Sequence, residues 1–190
     1  MLQKGQKMYH IKKDKRSEKS AAAFCESLAV LLNRKPYDKI SISDICQECG
    51  IARTTFYRLF DTIDDILIYQ FDGLLEESLA SYTFQSQSSK RSSYAKIILK
   101  IALSNKSLIQ AIVSSGRNDL FDFATREKEY TITQNMNLNI NAKERIYCTP
   151  MLNAMIFAVI KTWIANGCKE TTDELYQLIK KNLKLIDEYS

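Results

Sequence analysis

The chain has 190 residues, enough for one domain or for two small ones, and its 45% hydrophobic and 26% charged residues are ordinary for a globular protein. Only 5 Gly and 2 Pro occur, and because the turns of a sheet protein use these residue types, the composition argues against a β-sandwich or β-barrel. The net charge is +5, and the first 60 residues hold 12 Lys and Arg against 6 Asp and Glu, which predicts an anionic partner there or a solvated basic tail.

The N-terminal segment predicts an arm followed by a helix. Residues 1–16 are polar, rich in Lys and without apolar periodicity, so we expect a flexible basic arm. A helical pattern begins at Ser17. Its apolar positions are Phe24, Leu28, Leu31 and Leu32. Pro36 ends this helix, because residues that precede a proline are kept out of helical backbone.

Two short helices are predicted next. Ser41 and Asp44 form a capping box, in which the two side chains satisfy the first free N–H groups of the second helix. This helix ends at Gly50, the residue type that best adopts a positive φ. Four of its residues have the spacing of a buried stripe: Ile42, Ile45, Cys46 and Cys49. A third helix is predicted from about Arg53 to Phe60, with its phenylalanines turned inward.

Helical patterns continue to the end of the chain. A fourth helix is predicted from Thr62 to about Tyr82, and the polar stretch from Gln85 to Ser93 is the clearest loop. Five further helices are predicted at Tyr94–Leu103, Leu108–Ser114, Asp119 to about Asn135, Glu144–Asn166 and Thr172–Glu188. No strand pattern competes in the sequence, which therefore predicts an all-α fold of about nine helices.

The second and third helices have the residue pattern of a helix-turn-helix. Two closely crossing helices need a small residue at the crossing, which Cys46 supplies, and their tight turn needs a residue that tolerates positive φ, which Gly50 supplies. The outward residues of the third helix can all donate a hydrogen bond to a phosphate or a base edge, and none is acidic: Arg53, Thr54, Thr55, Tyr57 and Arg58. An ordinary helix pair with a polar surface is the alternative.

The segment from Gly50 to Phe60 resembles the recognition-helix signature of the TetR/AcrR family of bacterial transcriptional regulators, and the match spans roughly Ser17 to Leu75. The resemblance implies that Thr55 and Tyr57 hold DNA phosphates. It also implies that three residues approach the major groove: Arg53, Thr54 and Arg58. Ser41 is a further DNA-binding residue that the resemblance implies. A homodimer on a palindromic double-stranded operator, with an effector-binding C-terminal body, is the implied assembly.

The resemblance divides the chain into three parts. Residues 1–16 form the arm, residues 17–72 the DNA-binding domain with the helix-turn-helix at about 41–60, and residues 73–190 the effector-binding and dimerisation domain. The expected function is therefore that of a homodimeric transcriptional regulator whose operator binding is modulated by a small effector. Cofactors are not expected.

Two departures from the family pattern favour a second hypothesis. Ala52 stands where a small hydroxyl residue is usual, and Ile63 stands where a Lys is common, next to Asp64 and Asp65. These changes remove phosphate contacts and add negative charge. The alternative function is a TetR-like protein-interaction coregulator that does not bind DNA, unless the cations of the arm compensate.

The C-terminal half carries three weaker signals. Trp163 to Gly167, followed by Glu170 and by Glu174 and Leu175, is similar to the end of a TetR subgroup that includes activators of dihydroxyacetone kinase operons. Six aromatic residues are candidates either for an effector pocket or for simple core: Phe71, Tyr94, Phe121, Tyr130, Phe157 and Trp163. Six residues on the last two helices are candidates for a dimer interface or for contacts within one protomer: Ala154, Ala158, Leu175, Ile179, Leu183 and Ile186.

Other function classes find little support. Cys46 and Cys49 have the spacing of a metal or redox pair, but a structural zinc site needs four ligands and no second pair follows, so we expect no metal. With His10 as the single histidine and no Gly-rich phosphate loop, no catalytic pair is recognisable and we expect no enzyme. The longest apolar run is Ala154 to Ile160, against about 20 residues for a membrane span. We expect a cytoplasmic protein with reduced thiols and no membrane partner.

Overall fold

A computed structural model describes residues 9–12, 14–85, 94–116, 119–126, 128 and 141–188. In this part of the chain the secondary structure is α-helical, apart from a 3-10 turn at Tyr37–Lys39 and one isolated β-bridge. The helices are α1 (Lys15–Leu32), α2 (Ile42–Cys49), α3 (Arg53–Leu59), α4 (Ile63–Gln85), α5 (Tyr94–Ser104), α6 (Lys106–Ser114), α7 (Asp119–Arg126), α8 (Ala142–Ala165) and α9 (Thr172–Glu188). The predicted all-α fold is confirmed.

The boundary between arm and first helix differs from the sequence prediction. Helix α1 begins at Lys15, two residues earlier than expected, because the carboxylate of Asp14 accepts hydrogen bonds from the backbone N–H groups of Arg16 and Ser17 at 3.1 and 2.9 Å. The last two residues of the predicted arm therefore belong to α1. At the other end of the chain, α7 is described to Arg126, and the rest of the helix predicted to about Asn135 lies largely outside the described residues.

The chain forms two compact units. The first comprises Met1–Phe71 and Ser107–Arg117, and the second comprises Asp72–Lys106 and Asn118–Ser190. Helix α4 passes from one unit into the other, and most of α6 belongs to the first unit, although its sequence position is within the predicted C-terminal domain.

The first unit is built around phenylalanine rings. Helices α1, α2 and α3 pack on one another, and Phe24 of α1 contacts Phe56 and Phe60 edge to face, with ring centroids 5.3 and 6.2 Å apart. All three side chains are fully buried. A helix as short as α3 is not stable alone in water, so this burial, about 1.5–3 kcal/mol for each large side chain, holds it in place.

In the second unit, α5 packs against α8 and α9, and α7 packs against α8. One face of α8 is buried, with Asn153, Ile156, Ile160 and Trp163 pointing into the unit. The helix is also long and apolar enough to cross a membrane by length and composition, a property that core helices of soluble proteins share. Only 33% of its most apolar stretch is buried within the protomer.

Candidate nucleic-acid interface

The turn between α2 and α3 has the geometry that its sequence predicts. Gly50 adopts φ +67°, and the N–H of the following Ile51 donates to the carbonyl of Cys46 at 3.1 Å. Cys46 itself is buried at the crossing. Cys49 is only half-buried, and its thiol donates to the carbonyl of Ile45. The small residue and the left-handed glycine thus close the tight turn together.

The predicted capping box at the start of α2 is present. The carboxylate of Asp44 accepts from both the backbone N–H and the hydroxyl of Ser41, each at 2.7 Å. The ammonium of Lys35, 2.8 Å away, and these bonds from Ser41 hold the pKa of Asp44 far below its usual range. Both donors of Ser41 are therefore used in capping α2, and the expected DNA contact by Ser41 stays a prediction.

Helix α3 separates its residues into two faces. Phe56 and Leu59 are buried, Thr55 is half-buried, and the four other predicted DNA-binding residues of this helix are exposed: Arg53, Thr54, Tyr57 and Arg58. The ring of Tyr57 is supported edge to face by Phe56, with centroids 5.6 Å apart. Within the described part of the chain, none of these exposed side chains forms a hydrogen bond or an ion pair. Their donors are therefore free to face a nucleic acid.

The start of α3 shows the effect of Ala52, one of the two departures from the family pattern. Ala52 is the N-cap residue and provides no side-chain hydrogen bond to the first turn. The capping contribution that a hydroxyl residue makes at this position, about 0.5–2 kcal/mol, is absent. The burial of the phenylalanine rings in the first unit stabilises α3 instead.

The acidic residues at the start of α4 are mostly turned toward the protein. Asp65 is buried and accepts from the backbone N–H groups of Asp61 and Thr62 at 2.7 and 2.9 Å. Burial raises the pKa of Asp65, and these hydrogen bonds oppose that rise. Asp64 is half-buried and accepts from the hydroxyl of Tyr37. Only Asp61 of this group is exposed, so the sequence overstates the negative charge that faces a ligand.

The arm is attached to the end of α3. Tyr9 forms an antiparallel bridge with Phe60, and the N–H of His10 donates to the carbonyl of Leu59 at 2.8 Å. The imidazole Nε2 of His10 lies 3.1 Å from Asp61 Oδ2. The ring of Tyr9 meets that of Tyr69 edge to face at 5.2 Å. The predicted flexible arm is thus docked at residues 9 and 10, and residues 1–8 lie outside the described part.

Comparison with known proteins decides the class of this unit. Residues 26–69, from the middle of α1 to the first half of α4, match the family model of bacterial regulatory proteins of the tetR family. The chain carries the DNA-binding domain of the TetR family. This TetR-type domain contains the whole helix-turn-helix, so the resemblance inferred from residues 50–60 is confirmed.

Solved structures are similar over almost the whole chain. The crystal structure of Lin0861 from Listeria innocua is 18% identical with a TM-score of 0.69, and the match covers 94% of this chain and 99% of that one. The fatty acid degradation regulator FadR from Bacillus halodurans is 15% identical with a TM-score of 0.50, covering 88% of this chain and 95% of that one. At such identities the likeness shows the fold alone. No curated protein is significantly similar to the chain.

The second unit brings some of the predicted effector residues together. The rings of Phe121 and Phe157 are 5.8 Å apart and line an open groove of ≈ 440 Å³ between α7 and α8. Tyr94 is buried beneath this region. Trp163 is buried along α8, where its Nε1 donates to the carbonyl of Glu170 at 3.1 Å. Phe71 is buried at the end of the first unit, and Tyr130 lies outside the described residues.

Sequence reasoning missed the polar residues of this groove. Asn153 is buried at its base, and Asp122 and Lys161 are exposed along it. The Nδ2 of Asn153 donates to Thr125 Oγ1 at 2.6 Å and to Asp122 Oδ1 at 3.2 Å. The asparagine within the apolar sequence of α8 is the signal by which they could have been found, because a polar side chain in such a helix needs partners.

The predicted dimer residues fall into three groups. Ala154 and Ala158 are exposed on α8. Leu175 and Ile179 of α9 are each only 4% exposed, so they pack inside the protomer and line a second groove of ≈ 320 Å³ beside α8. The side chains of Leu183 and Ile186 lie outside the described part. The larger apolar side chains that the protomer leaves exposed nearby are Ile146, Tyr147, Met151 and Leu178.

The segment that begins at Trp163 ends α8 at Ala165 and continues from Asn166 as the turn that leads to α9. Gly167 adopts φ +84°, and the N–H of Cys168 returns to the carbonyl of Trp163 at 2.9 Å. Glu174 completes a cap at the start of α9, with Oε2 2.8 Å from the N–H of Thr171. These residues therefore have a structural role, whatever the effector.

Proposed function

We propose that this TetR-type, DNA-binding transcriptional regulator acts as a homodimer on a near-palindromic operator and that a small effector in the second unit modulates the binding. One observation carries the DNA-binding part of the proposal. Helix α3 buries Phe56 and Leu59 and leaves its hydrogen-bond donors exposed, with no acidic residue among them. That combination suits the negative phosphates and the acceptor-rich base edges of a major groove.

Two features support the assembly. Tyr147, Met151, Ala154 and Ala158 recur on one exposed face of α8 with the alternating spacing of four and three residues that helix pairs use. Ala154 and Ala158 are small enough for another helix to approach closely. The groove with Phe121, Phe157 and Asn153 has the size and the apolar lining of a small-molecule site, with few polar groups. Ala154 and Ala158 also line it, so a second copy packed on this face would border the effector site.

The coregulator hypothesis keeps part of its support. It rested on Ile63 and Ala52, which offer no phosphate contact, and on the adjacent acids, of which Asp64 and Asp65 are occupied by contacts inside the protein. It remains the outcome to be excluded by experiment.

Selection from a random duplex pool tests the proposal. The purified protein is expected to enrich a sequence with two inverted half-sites, and the variant with Arg53→Ala and Arg58→Ala is expected to enrich none. A double variant in the second unit, Lys100→Ala and Lys169→Ala, removes the same charge from exposed positions and serves as the matched control. No enrichment by the wild-type protein, at low salt and at several protein concentrations, would favour the coregulator.

A further inference from the structure

The arm is held at two points rather than one. At its first described residues, Tyr9 bridges Phe60 and the N–H of His10 binds the carbonyl of Leu59. A few residues later, Asp14 caps α1 and so anchors the chain again. Lys12 lies between these attachments and is exposed. A tail that is tethered at both ends has lost most of the conformational freedom that a DNA contact would otherwise have to remove.

The first attachment lies next to the surface that faces DNA. Leu59 directly follows Arg58, the last exposed residue of the recognition helix, and neighbouring Cα atoms are about 3.8 Å apart. Lys12 is two residues beyond His10, a span of at most about 7 Å along the chain. A major groove is about 12 Å wide, so an element fixed to the end of a helix in that groove lies near the flanking phosphates.

The arm also changes the local charge. The exposed carboxylate of Asp61 is bound by the His10 imidazole at 3.1 Å. Beyond this contact the chain presents the exposed cations Lys12, Lys15 and Arg16. Docking therefore gives the exposed carboxylate of Asp61 a hydrogen-bond partner and adds exposed cations to the same unit.

We propose that Tyr9 and His10 are positioning residues for DNA binding, which fasten the arm across the end of α3 so that Lys12 contacts the phosphate backbone beside the base pairs that α3 reads. The inference rests on the proposed DNA binding and adds to it a second, sequence-independent contact surface. The partner is the phosphate backbone of duplex DNA. Two contacts of Tyr9 hold the arm in place: its ring packs on Tyr69, and its backbone forms the bridge to Phe60.

Because phosphate contacts do not depend on base sequence, the test needs no operator. Binding of a fluorescently labelled mixed-sequence duplex is measured by anisotropy over a range of salt concentrations. The variants are Tyr9→Ala, Lys12→Ala and their combination. Tyr9→Phe keeps the ring, and Lys100→Ala removes an exposed cation from the second unit, so these two are the matched controls.

Lys12→Ala is expected to flatten the slope of log K against log salt by about 0.9, the value for one phosphate contact. Tyr9→Ala keeps every charge and is expected to weaken binding about three- to tenfold, because the arm must then be ordered on binding. In the combined variant the two losses of binding free energy should be less than additive. Without Tyr9 the arm does not hold Lys12 in place, so removing Lys12 then costs less. Both controls should bind like the wild type.

Melting curves accompany the binding curves, so that a variant that fails to fold is recognised. Lys12→Ala changes only an exposed side chain, so the inference stays testable even if Tyr9→Ala unfolds. If the wild type binds the duplex but Lys12→Ala leaves the slope unchanged, or if the losses at Tyr9 and Lys12 simply add, the positioning role is wrong and the proposed function stands. If the wild type binds no duplex at any salt concentration, the proposed function fails and the inference fails with it.

Discussion

The hydroxyl of Tyr94 donates a hydrogen bond of 2.8 Å to Oδ1 of Asn153, although the two residues are 59 positions apart in the chain and both are buried. The same Asn153 donates from Nδ2 to Thr125 and Asp122. One amide side chain therefore joins α5, α7 and α8 at the base of the groove. Burial raises the pKa of Tyr94 strongly, so its hydroxyl keeps its proton and remains a donor at any physiological pH.

Replacing Asn153 should be costly for the second unit. Asn153→Leu has a similar volume but leaves the buried hydroxyl of Tyr94 without its partner and removes the amide donor to Thr125. The hydroxyl of Thr125 keeps its hydrogen bond to the carbonyl of Phe121, so one buried polar group loses its partner, and we expect the free energy of unfolding to fall by about 1–3 kcal/mol. Urea unfolding followed by circular dichroism measures this. Tyr94→Phe removes one of these bonds and should cost less, and an Asn153→Leu variant as stable as the wild type would contradict the role of this contact.

The first unit was largely predictable because its signals are local. The capping box at Ser41, the left-handed turn at Gly50 and the two faces of α3 each follow from residue types a few positions apart, and the structure contains all three. The docked arm was not predictable in this way. Its bridge joins Tyr9 to Phe60 through backbone groups, which leave no trace in side-chain periodicity.

The C-terminal half shows a different limit of sequence reasoning. Periodicity identifies an apolar stripe on α9, but it does not say whether the stripe is covered by the same chain or by a second copy. Leu175 and Ile179 turn out to be covered within the protomer, whereas Ala154 and Ala158 are exposed. Partners at long separation in the sequence decide this, and the pattern along one helix does not record them.

The exposed residues of α3 should divide into two functional groups. Tyr57→Phe and Thr55→Ala remove hydroxyls that are predicted to hold phosphates, so they should weaken binding by a similar factor on the selected operator and on random duplexes. Arg53→Ala and Arg58→Ala should instead relax the preference at particular base pairs, by about 1–3 kcal/mol for a good bidentate contact. Competition titrations with single-base operator variants separate the two patterns. Equal losses by all four variants on every duplex would show that these roles are wrongly assigned.

The two buried cysteines of the first unit, Cys25 and Cys46, should be protected in the native state. Burial raises the pKa of the Cys25 thiol to about 12, and it also raises the pKa of Cys46, so neither forms the reactive thiolate at neutral pH. Cys49, Cys148 and Cys168 are half-buried and should be alkylated first. Mass spectrometry after brief alkylation, with and without denaturant, gives the order.

Variants at the turn complete the test of the cysteines. Cys46→Ala keeps a small residue at the helix crossing and should leave DNA binding intact, with a modest loss of stability from the lost packing. Cys49→Ala should behave in the same way. Fast native labelling of Cys25, or stoichiometric zinc that is lost in Cys46→Ala, would show that the thiols have a chemical role.

A second copy of the chain should cover the exposed face of α8. Met151 is 71% exposed and Tyr147 63%, more than a lone protomer ordinarily leaves to water at adjacent positions of one helix face. Ala158→Glu should place a carboxylate in that face and produce monomers, whereas Ala158→Ser keeps a small uncharged residue at the same position and should remain dimeric. Two-fold symmetry would relate the two recognition helices, so the operator half-sites should lie about 34–36 Å apart or at a multiple of that distance. Sedimentation velocity at micromolar concentration checks the assembly, and a monomeric wild-type protein would remove both the dimer and the reason for a palindrome.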